Sequence, residues 1–133
     1  MRYLLDTNIC IELIKRKPPQ MLRRFQALTA GDIGISAITL AELRYGVAKS
    51  QAAERNAKAL AEFLLPLEIA DFDENAASAY GPVRAGLEKS GTPIGPLDTQ
   101  IGAHALSLGA TLVTSNTKEF QRIKGLRIEN WLL

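Results

Sequence analysis

Three carboxylates, Asp6, Glu42 and Asp98, and the polar run Thr114-Ser115-Asn116 are the residues of this sequence best suited to chemistry. Asp6 ends the apolar run "YLL", Glu42 interrupts "ITLAELRYG", and Asp98 follows the loop "SGTPIGP". Gathered at one sheet edge, three such acids repel one another and raise each other's proton affinity unless a cation sits among them. Oxygen ligands alone favour a hard ion, Mg²⁺ or Mn²⁺, over zinc or copper. An ion held in this way activates water and offsets the charge developing on a phosphate, which is metal-assisted phosphodiester hydrolysis. No Ser, Cys or Lys nucleophile is then required.

Positioning these groups is the task of the surrounding elements. "RYLL" reads as a strand, followed by helices over Ile9 to Lys15 and Pro18 to Leu28. "DIGIS" is a second strand, with an amphipathic helix from Thr39 and a longer one over Ala52 to Leu64. "LEIADF" gives a third strand, and Glu74 to Lys89 a helix that Pro82 should kink or split. Asp98 opens a helix that stops at Gly109; "ATLVTS" is the fourth strand, "TKEF" a helical turn, and "LRIENW" a terminal strand or extended piece. Strands separated by helices imply a three-layer α/β/α fold around a mostly parallel sheet of four to five strands. In such sheets ligands bind beyond the carboxyl ends of the strands, where Asp6, the Glu42 helix and the Thr114 turn all fall.

The 133 residues suit a single domain, residues 1–133, and no repeat or low-complexity segment interrupts them. With 47% apolar and 23% charged residues the chain is expected to fold around a core. A net charge of +2 names no partner, although "KRK" at 15–17 and "RR" at 23–24 gather cations in the N-terminal third. One cysteine excludes an internal disulfide, and without a signal peptide or long apolar span the chain reads as cytoplasmic, with no membrane association. Cys10 and His104 sit inside apolar helical patterns, where a core thiol and a packed imidazole are commoner than a catalytic pair.

Every candidate acid also has a structural reading. Taken singly, Asp6 and Asp98 read first as helix caps, Glu42 as a solvent-facing residue and Asn116 as a turn residue. A phosphoryl-accepting domain, either a receiver or a phosphatase with aspartates after parallel strands, is a second functional class. The phosphatase pattern needs a second aspartate where Asn8 stands. Asp71 or Asp73 could imitate a receiver's acceptor, but the early acidic pair and the later lysine are missing.

The set of motifs changes these odds. "LLDTN", "ITLAELRYG", "PLDTQIGAHA" and "TLVTSNTKEF" resemble, in order, the motifs of PIN-domain ribonucleases, and most nearly the VapC toxins of bacterial VapBC toxin-antitoxin modules. Segments such as "VAKS" and "ERN" resemble the enterobacterial subgroup, whose members cut initiator tRNA in the anticodon stem-loop. The resemblance implies that Asp6 and Asp98 bind Mg²⁺ or Mn²⁺, that Glu42 completes the trio, and that Thr114 holds the site by hydrogen bonding. Asn116 stands where many relatives have a fourth aspartate. The resemblance further implies an RNA substrate and a homodimer inhibited by a VapB-like antitoxin, whose basic side chain can enter the acidic pocket. The N-terminal basic runs are then expected to serve RNA phosphates outside that pocket. A non-catalytic PIN-like binding module is the third class, disfavoured because all three acids are present. On the ribonuclease reading Thr7 and Asn8 cap the first helix, and Asp6, released from capping, is the central metal ligand.

Overall fold

A computed structural model describes all 133 residues. Five strands, β1 (Tyr3–Leu5), β2 (Ile33–Ser36), β3 (Glu68–Ala70), β4 (Thr111–Val113) and β5 (Ile128–Glu129), form one sheet in the order β3-β2-β1-β4-β5. Every pairing is parallel. The helices are α1 (Thr7–Lys15), α2 (Pro19–Gln26), α3 (Ala37–Ala48), α4 (Ala53–Leu64), α5 (Glu74–Lys89), α6 (Pro96–Leu108) and α7 (Thr117–Phe120). No helix is long and apolar enough to cross a membrane.

Alternation along β1 builds the two halves of the core, because successive strand residues face opposite sides. Leu5 packs with Ile9, Leu13, Met21, Leu43 and Leu60 beneath α1 to α4. Leu4 packs with Leu87, Ile101, Ala105 and Phe120 beneath α5 to α7. The three layers expected from the sequence are therefore present, and the sheet is parallel throughout.

The strand order reverses at β1, since the chain first builds outward to β2 and β3 and then returns to place β4 and β5 on the other side. Leu5 is in register with Ile35 on one side and Val113 on the other. The next residues, Ser36, Asp6 and Thr114, therefore emerge side by side at the carboxyl edge, roughly 4.8 Å between neighbouring strands. Crevices for ligands open at such a reversal.

Several helices start earlier than the apolar periodicity indicates. α1 begins at Thr7 rather than Ile9, α3 at Ala37 rather than Thr39, and α6 at Pro96 rather than Asp98. The first turn of a helix is set by its cap and not by its buried face. Ser36 caps α3 by accepting from the Ile38 N–H at 3.0 Å, and Pro96 fits the first turn of α6 because the N–H it lacks would have no partner there. Asp98 is thus the third residue of α6 and caps nothing. Gly109 ends α6 in the left-handed conformation, φ 64°.

α5 runs unbroken through Pro82, where a split was one expected outcome. Pro82 and Ser78, one turn earlier, are both exposed, so water can satisfy the carbonyl that loses its intrahelical donor. Pro82→Ala restores that bond without disturbing the core and should raise stability by about 1–3 kcal/mol in denaturant unfolding. An unchanged midpoint would show that the helix carries no proline penalty.

Candidate active site

Asp6 stands at the tip of β1 and is only 3% exposed. A carboxylate this buried needs donors, and it has two. Oδ1 accepts from the Ile9 N–H at 2.9 Å, and Oδ2 accepts from the Thr114 hydroxyl at 2.5 Å. Asp6 is therefore the N-cap of α1, contrary to the expectation that Thr7 and Asn8 would free it. The alternatives were not exclusive, because a carboxylate has two oxygens and about four lone-pair sites. Burial pushes its proton affinity up, the Thr114 and Ile9 bonds pull it down, and the Glu42 charge raises it again.

Thr7 does other work. Its hydroxyl donates to Glu42 Oε1 at 2.6 Å and lies 3.3 Å from the buried Thr39 hydroxyl. Half-buried Glu42 is thereby fixed on the side of α3 that faces the start of α1. Asn8 is exposed.

Asp98, in the first turn of α6, completes the trio. Its carboxyl is pushed up to about 6, first by burial and then by the charges of Glu119, Asp6 and Glu42. The structure thus brings Asp6, Glu42 and Asp98 together, with the fully buried Thr114 beside them. Thr114 also accepts from the Asn116 N–H at 2.9 Å, which folds the "TSN" turn against the site.

Glu119 was absent from the sequence-derived set, where "TKEF" was only a helical turn. Its Oε1 accepts from the Gly95 N–H at 3.1 Å, and its Oε2 accepts from the Asn116 side-chain amide. Of the charges acting on Asp98, that of Glu119 is the largest. A fourth carboxylate is therefore present three residues beyond the neutral Asn116. The signal was the spacing from Asn116 to Glu119, since an acid three residues into a helix start folds back towards the cap.

None of these four acids has a basic partner. The ion pairs of the protein are Arg2–Asp32, Arg16–Glu12, Arg24–Glu129 and Arg84–Glu88. As they stand, no three His, Cys, Asp or Glu side chains form a closed coordination group. The donors are all oxygens and their mutual repulsion has no counter-charge, so the set fits a hard divalent cation drawn in among them.

The PIN domain sequence profile matches residues 3–126. Over 131 residues the chain is 46% identical to the tRNA(fMet)-specific endonuclease VapC of Shigella flexneri, covering 98% of each. It is 46% identical to ribonuclease VapC2 of Haemophilus influenzae over 132 residues, 99% of each. This chain belongs to the VapC family of PIN-domain proteins. The solved DNA-bound VapBC complex of Salmonella typhimurium contains a similar chain, with TM-score 0.95, 46% identity and 98% of both chains covered.

Membership of the VapC family displaces the receiver and phosphatase readings, and the geometry agrees. Asp71 is exposed and Asp73 caps α5 through the Ala76 N–H at 3.0 Å, both beyond the edge strand β3. Cys10 lies in the core beneath α1, its thiol pushed up by burial and by Asp6. His104 instead has its Nδ1 2.8 Å from Ser36 Oγ. The two do not form a nucleophile and base.

The folded protein binds the Asp98 proton more tightly than an unfolded chain, whose carboxyl has the ordinary value of 3.8. Metal-free protein should therefore lose stability as pH rises from 3.8 to about 6 and level off above. Thermal melts across that range check the slope, and Glu119→Gln should make it shallower, burial and the other two acids remaining. A melting temperature that rises through the window would contradict the arrangement.

Proposed function

We propose that this VapC-family chain is a toxic, Mg²⁺- or Mn²⁺-dependent endoribonuclease that hydrolyses RNA phosphodiester bonds and so stops translation. The observation that carries this reading is the four-carboxylate cluster at the strand-order reversal, with no cation of its own. Similarity to the tRNA(fMet)-specific endonuclease of Shigella flexneri supports initiator tRNA as the substrate; the anticodon stem-loop as the place of cutting and the cytoplasm as its location belong to this reading.

Asp6, Asp98 and Glu42 would hold the ion, with Glu119 as a fourth acid beside them. The bound ion would supply activation of water and compensation of the phosphate charge. The protein's own groups prepare for it. Thr114 and the Ile9 N–H keep Asp6 oriented, and Thr7 occupies one oxygen of Glu42 and leaves the other free. Burial and the neighbouring acids push the Asp98 carboxyl up to about 6, so below that pH ion binding would release a proton and would tighten as pH rises through about 6.

The same cluster explains control by a VapB-like antitoxin. An arginine from such a partner can substitute for the ion, because its fork pairs with two carboxylate oxygens at once. The similar chains solved in VapBC complexes support a heteromeric complex with a VapB-like partner, in which the toxin itself would be a homodimer.

Of the basic pair expected to meet RNA, only Arg23 lacks an ion-pair partner. Arg24 pairs with Glu129 at 2.9 Å and lies 5.4 Å from the centre of the Trp131 ring, so it clamps α2 to the C-terminal segment. Arg23→Ala should weaken RNA binding and reduce its salt slope by about one. Arg24→Ala should chiefly lower stability, by about 1 kcal/mol. Equal loss of RNA binding in both, without destabilisation by Arg24→Ala, would restore the symmetrical reading.

Purified protein incubated with total tRNA and Mg²⁺ or Mn²⁺ should give discrete cuts that a chelator abolishes. Asp98→Asn and Asp6→Asn should abolish both cutting and growth arrest, and Thr114→Val should reduce metal affinity or activity by about 10–100-fold. Arrest that survives both aspartate changes would refute the mechanism.

A further inference from the structure

If the acid cluster cuts RNA, the nucleotides flanking the scissile phosphate must leave it along the adjoining surface, and the inference that follows rests on the ribonuclease reading. A groove of about 820 Å³ starts at Thr7 and Glu42 and runs between α1, α3 and α4 towards Lys15 and Lys49. One of its walls is the helix that carries Glu42. A strand whose phosphate lies at Glu42 therefore has this groove as an immediate exit.

Tyr45 stands on that wall three residues after Glu42, on the same side of the helix and about 4.5 Å further along its axis. Its side chain is 66% exposed, and it is the only aromatic among the exposed large apolar residues. Folding gains little from a ring left so open, and the face turned away from Lys49 remains available to a ligand. Lys49, one turn further, places its ammonium 4.9 Å from the ring centre. Leu97, next to Asp98, is 45% exposed and lines the same groove. An aromatic face beside a cation, at the mouth of an acid cluster, matches the chemistry of a nucleotide: a flat base and an anionic phosphate.

We propose that Tyr45 is a nucleobase-stacking residue, seating the base next to the scissile phosphate while Lys49 meets that nucleotide's phosphate. Lys15 and Lys49 supply cations for RNA phosphates along the groove, and Glu42 stands at the end where the ion would bind.

Steady-state cleavage of tRNA by the full-length protein tests the assignment. Tyr45→Ala and Tyr45→Leu should raise KM about tenfold with little change in kcat, whereas Tyr45→Phe should match the parent, because stacking needs the ring and not the hydroxyl. Lys49→Ala should raise KM and lower its dependence on salt. In the cleavage-deficient Asp98→Asn background, an RNA hairpin carrying a fluorescent adenine analogue in its loop should be quenched on binding, and Tyr45→Ala should remove the quenching. Thermal melts of the Tyr45 variants should match the parent, given the exposure of the ring. Parental KM in Tyr45→Leu, or unquenched fluorescence with Tyr45 present, would overturn the proposal. Loss of antitoxin affinity with RNA binding intact would overturn it as well and assign the ring to a protein partner. Cleavage that persists in Asp98→Asn would instead refute the ribonuclease mechanism, so the two failures are distinguishable.

Discussion

The bond between the Thr114 hydroxyl and Asp6 Oδ2 joins the two halves of the sheet at the place where its strand order reverses. It depends on register: Leu5 lies opposite Val113, so the residues that follow them meet. A slip of one residue would turn every side chain of a strand to the other face, which would take Asp6 from Thr114 and Leu4 and Leu5 from their cores together. The apolar pairing that stabilises the sheet is thus also what places the acid. Asp6 then starts α1 through its other oxygen, so strand, helix and site are aligned by one carboxylate.

Around that point the protein accumulates charge it does not neutralise. Asp98 feels Glu119, Asp6 and Glu42, and none of the four has a basic partner. Hydroxyls and backbone N–H groups orient the acids instead of cations: Thr114 and Ile9 for Asp6, Thr7 for Glu42, Gly95 for Glu119. Neutral donors fix geometry without cancelling the field. Such an arrangement is unfavourable in isolation and would become favourable on entry of a divalent cation or a partner's guanidinium, which under the proposed function would link catalysis and inhibition to the same electrostatic deficit.

The cations follow a different division. Arg24 stabilises the fold by holding the C-terminal segment through Glu129 and Trp131, and Arg16, just past the end of α1, pairs back with Glu12. Lys15 and Lys49 lie in the groove that leads away from Glu42. Runs of basic residues that look uniform in the sequence are separated by their partners in space.

Much of the architecture was legible from the sequence, because burial on two faces of a central strand demands apolar residues with a set period, and "YLL" and "TLV" carry it. The acids were legible as chemistry only as a set, since each alone reads equally well as a cap. What residue order could not convey was which oxygen meets which donor. Asp6 is at once a cap and a member of the acid cluster, Thr7 serves Glu42 and not its own helix, and Glu119 reaches the cluster through a short helix whose sequence shows only a turn. By itself the sequence determined the parallel α/β layering and the three acids beyond its strands, because those follow from local periodicity and residue type. Only the tertiary structure decided the fourth acid, the hydroxyl partners and the exposed ring of Tyr45 at the groove, because these arise where segments 24 to more than 100 residues apart are brought together.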